Sequence, residues 1–178
     1  MMLLDYYLTV WGAILSERKY RHHFKMEHYE LNPVWQNSIA RKQWFNPRYL
    51  GIVSAVTVLC LWWSSSWTFP DNTMEGMLGF ITIYLGSIIG QHVSNIFTFN
   101  YILRHPESVS GEVTMSHLLI LAISRFRAVA LLFPLALISI FSPTPFVIGG
   151  LFSQIILFIT HLLWTAKAKA KLRKETPA

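Results

Sequence analysis

Acidic residues are scarce in this 178-residue chain. Nine Asp and Glu stand against fifteen Lys and Arg, and charged residues of both signs make up only 13%. A soluble domain usually devotes about a quarter of its residues to charge, so an ordinary water-facing surface is hard to build here. Cysteine is limited to Cys60, in "AVTVLCLWW", which excludes an intramolecular disulfide and suits a thiol acting as a small hydrophobe. Catalytic signatures are missing as well. There is no H-E-x-x-H, and no G-x-S-x-G surrounds Ser64, Ser65 and Ser66. The start, "MMLLDYYLTVWGAIL", carries Asp5 where a secretory leader has basic residues, and it has no A-x-A site. No cleavable signal peptide is expected.

What the chain does have is apolar length. Hydrophobic residues make up 53% of it, and the mean hydropathy is +0.39. Tyr49 to Phe69, Met74 to Phe99 and Phe146 to Ala166 each reach the roughly 20 residues that cross a bilayer's hydrocarbon. Leu118 to Phe141 is also long enough, with Arg125 and Arg127 near its start. The fold expected is an all-α integral membrane helical bundle, with three clear spans plus a short N-terminal helix and four crossings in all. It forms a single membrane domain. Residues 1–17 make the short N-terminal membrane helix and 18–48 a cytoplasmic or interfacial segment containing an amphipathic juxtamembrane helix. Membrane helices follow at 49–69, 74–103, 112–141 and 146–166, then a basic tail at 167–178 that frays from helix.

A net charge of +6 can signal nucleic-acid binding, but its placement argues for topology and against a nucleic-acid partner. Seven Lys/Arg lie between Arg18 and Arg48, Arg104 follows the second span, and five more run from Lys167 to Lys174. With Arg125 and Arg127, all fall on one side if the spans alternate, and the connections "PDNTMEG" and "SPTP" have none. By the positive-inside rule that side is cytoplasmic, C-terminus included, as in a prokaryotic inner or plasma membrane. Membrane lipid is the partner this implies, and Lys and Arg near the surface also attract anionic headgroups.

The dipeptide Asn-Pro occurs at Asn32-Pro33 and Asn46-Pro47. Asn is a preferred helix N-cap, and Pro suits the next position, where no N–H is needed. The first pair is expected to start a helix running to about Trp44, the second to open the span at Tyr49. Asp5, Thr9, Gly12 and Ser16 recur at helical spacing and form one polar stripe on the first helix. That helix is read as a short crossing, its stripe turned toward other helices because a carboxylate facing lipid is costly; the alternative is a helix in the cytoplasmic interface with its stripe toward the headgroups.

Three constellations can carry function. His92, Asn95, Arg125 and His161 fall at one depth, within about two turns of the cytoplasmic surface, as an intramembrane polar layer. Arg125 and Arg127 project about 200° apart on an ideal helix, so only one can face that layer. On a helix, His23, Glu27 and Glu30 would share a face able to hold a metal of unknown identity, although the His spacing fits no usual zinc pattern. Thirdly, the Asp5/Thr9/Gly12 stripe precedes Glu30-x-Asn32-Pro33. In "DYYLTVWG" and "ELNP" the chain resembles small uncharacterised prokaryotic polytopic membrane proteins, in which Asp-x3-Thr-x2-Gly on the first helix is followed by Glu-x-Asn-Pro. In that group the second motif closely follows the helix, whereas here a charged insert intervenes. The resemblance stops with this first part of the chain and implies a helical membrane bundle without naming an activity.

For packing, Gly86, Gly90 and Ser94 form a small-residue ridge, and Gly149 and Ser153 a second pair. The leading expectation is therefore a non-enzymatic membrane subunit that packs with other transmembrane helices, in a homo-oligomer or a larger complex. The alternative is a small oligomeric transporter of protons, ions or solutes working through the polar layer. Histidines in spans can also ligate haem or a chlorophyll-type pigment.

Overall fold

A computed structural model of the chain describes residues 1–26, 29–65 and 71–175. In order, α1 covers Met2–Leu15, a π-helical turn Ser16–Tyr20, α2 Arg21–His23, β1 Phe24–Met26 and α3 Gln36–Ala40. There follow α4 at Pro47–Ser65, α5 at Asp71–Arg104, a 3-10 turn at Pro106–Ser108, β2 at Val113–Met115, α6 at His117–Phe141 and α7 at Pro145–Glu175. The architecture is all-α, apart from a two-stranded parallel pairing of Phe24–Met26 with Val113–Met115.

Three helices, α5, α6 and α7, are long and apolar enough to cross a membrane, and α4 is a shorter apolar helix. The Leu118–Phe141 run is thus among these three, and the Tyr49–Phe69 run forms α4 as far as Ser65. The end of the latter run, residues 66–70, lies outside the described residues.

α7 lies between α5 and α6. Glycine permits the α5–α7 approach. A Cβ on Gly149 would run into the Gly76 carbonyl, and one on Gly79 into the backbone of Phe146. Moving down the pair, Ile83 meets Gly150, and Ser87 takes a 2.8 Å hydrogen bond from Gln154 Nε2. The two helices therefore run in the same direction. α6 runs back between them in sequence, so the C-terminal ends of α5 and α7 and the start of α6 share one end of the bundle. Arg104, Arg125, Arg127 and the Lys/Arg of α7 gather there.

α1 packs on α5 with the same polarity, Thr9 at His92 and Leu15 beside Ile96 and Phe99. Its 14 residues give about 21 Å, so it covers only the basic-end part of the bundle. The chain then folds back over α1. Ile39 joins Tyr6, Val10 and Ala13 in a buried cluster, where Tyr49 and Val53 of α4 are also anchored.

Several local expectations are revised. Asn46 caps α4 as read: its Oδ1 accepts from the N–H of Tyr49 at 3.1 Å, with Pro47 as the first helical residue. Asn32 Oδ1 likewise accepts from Val34 N–H at 3.0 Å, but the helix that follows spans only Gln36–Ala40. It stops well short of Trp44 because the backbone turns at Lys42, which has φ of 53°. The helix expected within the 18–48 segment is thus the short Gln36–Ala40. Helix α6 starts at His117 and not near Glu112, since Val113–Met115 is held extended by β1, and Ser116 Oγ caps the helix by accepting from Leu119 N–H at 3.2 Å. The basic tail stays helical to Glu175 as the end of α7.

Candidate functional site: a polar cavity at the basic end of the bundle

The exterior of this bundle is greasy, and polar groups lie among the apolar ones of its interior. On α7, Ser153 and Gln154 are fully buried and His161 is buried, while Phe152, Ile156 and Leu163 are exposed. Pairing explains how these polar groups are tolerated: Ser124 Oγ and His161 Nε2 lie 3.0 Å apart, and Gln154 reaches α5 through Ser87.

At the basic end the helices part around a cavity of about 520 Å³. One wall comes from α1 and the 29–35 loop, the other from α5, α6 and α7. Asp5, Thr9, Glu30, Asn32, His92, Asn95 and His161 all line it. The structure thus brings the stripe, the Glu-x-Asn-Pro turn and the polar layer into a single site. Arg125 is not part of the lining. Arg127 is, while the Arg125 guanidinium lies 5.5 Å from the ring of Phe126.

His92 is the hinge of the arrangement. Its Nε2 lies 3.0 Å from Thr9 Oγ1 and 3.1 Å from Asp5 Oδ1. Thr9 donates its only hydrogen to the Asp5 carbonyl, at 2.8 Å. Toward the imidazole, Thr9 can therefore only accept, which makes Nε2 the protonated nitrogen and fixes the tautomer. Gly12 has an equally specific role, because a Cβ there would collide with the Tyr29 hydroxyl. That contact seats the 29–32 turn against α1.

Glu30 Oε1 accepts from the Asn32 backbone N–H at 2.7 Å. Burial pushes its carboxyl up to about 7; the Asn32 bond and His92 oppose that rise, and Asp5 adds to it. Burial also raises the Tyr29 hydroxyl, with the Asn95 side chain opposing and Glu30 reinforcing the rise. A carboxyl titrating near neutrality, beside a second carboxylate and an imidazole, can take up and release a proton at physiological pH.

Tyr29, Tyr49, Trp35, Ser124 and Arg127 also line the cavity, and sequence reasoning did not place them there. Gly12 was the available signal for Tyr29, since a glycine in a polar helical stripe implies a close neighbour. Of the metal-binding alignment, Glu27 is outside the described residues, His23 Nδ1 lies 3.0 Å from the Gly111 carbonyl and Glu30 sits in the loop. Among the described residues no group of three His, Cys, Asp or Glu could hold a metal ion. The Nε2 atoms of His92 and His161 lie 3.0 Å from Thr9 Oγ1 and from Ser124 Oγ.

The packing motifs divide. Gly149 and Ser153 are consumed within the chain at the α5–α7 contact. Gly86 and Gly90 have nothing within 4 Å of a would-be Cβ, and Ser94 is exposed beside them. The chain matches no protein-family model, no curated protein and no solved structure.

Proposed function

We propose that this chain is an integral membrane protein, and that its cavity binds and passes a small solute or proton, as in a small transporter. Apolar outward faces around buried Ser153, Gln154 and His161 are what a hydrocarbon solvent selects, because polar groups there must be satisfied inside the bundle. On this reading the basic end, with the cavity mouth and the C-terminus, is cytoplasmic. α4 to α7 supply the crossings, and α1 is too short to add another beside the part of α5 it covers.

The observation that carries the transport reading is the meeting of Asp5, Glu30 and His92 in one cavity. Beyond it, the Gly76–Gly149 backbone contact closes the path between α5 and α7, so passage requires that seam to open or several copies to combine. Proteoliposomes test the proposal. pH-dependent proton or solute flux is expected, and it should be lost on His92→Ala. Vesicles that stay sealed at every pH tested would remove the transport role.

A second reading, assembly with other membrane helices, is favoured by the open Gly86/Gly90 ridge. If it holds, Gly86→Leu and Gly90→Leu together lower the oligomeric state in mild detergent. An unchanged assembly would count against it.

A further inference from the structure

The cavity has a chemistry more particular than polarity. Its α1 side presents the carboxylates of Asp5 and Glu30, with Asp5 close enough to disfavour the charge on Glu30. Around them stand aromatic rings held in place before any ligand arrives. The Tyr49 ring stacks on Tyr6 at 4.5 Å and meets Trp35 edge-on at 5.2 Å, and its hydroxyl is fixed by donating to the Met2 carbonyl at 2.6 Å. The Tyr29 ring is set by its neighbours Phe99, at 6.1 Å between centroids, and Gly12. Ring faces beside carboxylates are what an organic cation needs, since the ring quadrupole attracts the cation and the acids neutralise it. Fixed rings also spare the ligand an ordering cost.

Resting on the cavity reading above, we propose that this site binds an ammonium group, its charge met by Asp5 and Glu30 and its alkyl surface by Tyr29, Tyr49 and Trp35. The other titratable or charged groups around it are His92, His161, the Tyr6, Tyr20 and Tyr84 hydroxyls and Arg127, and the Arg48 guanidinium lies 5.9 Å from the Trp35 ring. His92 already leans on Asp5 at 3.1 Å, so an arriving ammonium shares that carboxylate with the imidazole. Arg127, exposed on the α6 side, disfavours a second positive charge at the far end of the ligand. A monocation is therefore selected over a diamine. The ammonium can arrive on a soluble amine or on the headgroup of phosphatidylethanolamine.

The test uses the full chain purified in mild detergent and its tyrosine and tryptophan fluorescence. Choline and ethylamine are the probes, and dimethylbutanol, the uncharged carbon isostere of choline, is the control. In parallel, the lipid retained through purification from a mixture of phosphatidylethanolamine and phosphatidylglycerol is identified by mass spectrometry. A saturable response to an amine but not to the isostere, weakened at least tenfold by Asp5→Asn or Glu30→Gln, supports a soluble ligand. Selective retention of phosphatidylethanolamine, lost in the same variants, supports the headgroup as the source. If Asp5→Asn does not elute as the native protein does, Glu30→Gln carries the comparison. Equal binding of amine and isostere, undiminished in the variants, overturns the ammonium assignment and leaves the cavity a solute site. No saturable response to any probe, with no selective lipid retention, overturns it as well. Only if proteoliposome flux is also absent does the transport reading fall with it.

Discussion

Glu30→Gln should make this protein more stable at alkaline pH, and the gain can be sized. In the folded chain burial raises the Glu30 carboxyl from an ordinary 4.5 to about 7. Between those values the folded state holds a proton that the unfolded chain has already released. Rising pH therefore drains stability through that window, and the loss is complete above about pH 7. At 1.36 kcal/mol per pH unit the difference is about 3 kcal/mol, an upper figure because Glu30 keeps partial exposure. Glutamine stays neutral throughout and retains an oxygen to accept the Asn32 N–H, so the variant escapes the loss without giving up the turn. Thermal unfolding in detergent at pH 5 and pH 8 checks this. The variant should gain several degrees over wild type at pH 8 and little at pH 5. An equal difference at both pH values, or a gain at pH 5 alone, would refute the assignment of Glu30 as a buried, neutral-range acid.

Two further outcomes test the packing. Gly12→Ala puts a methyl into the Tyr29 hydroxyl, which should cost about 1–3 kcal/mol; unfolding midpoints should fall, and Tyr29→Leu in the same chain should recover much of the loss. Gly149→Leu drives a side chain into the Gly76 backbone and should prevent α5 and α7 from closing, read as aggregation on size exclusion, whereas Gly86→Leu alone should leave the single copy folded.

Some of this was legible from sequence because its physics is local. Asn46 and Pro47 satisfy one another's requirements at a helix start whatever surrounds them, and the cap forms as read. Asn32 caps equally well, yet its helix is cut short, because Ile39 is recruited to the α1 cluster and the chain must turn at Lys42 to reach α4. Counting depth along the spans puts His92, Asn95 and His161 at one level, and all three line the cavity. Rotation was less determined: two arginines about 200° apart can exchange roles with a small turn of α6, and Arg127 holds the place expected of Arg125. The union of the α1 stripe with the layer on α5 depends on contacts between residues more than eighty positions apart, such as Thr9 with His92. No local pattern announces such a pairing. The short β1–β2 pair that delays the start of α6 is long-range in the same way.

Everything proposed for the cavity rests on a bundle that crosses a membrane with its basic end on one side. Cys60 is the sole cysteine, so Cys60→Ala gives a cysteine-free background for single-site labelling in intact cells. Thr73→Cys, at the start of α5, should react with an impermeant maleimide added outside, and Lys169→Cys, near the end of α7, only after the cells are opened. Labelling of both positions from the same side would contradict the account.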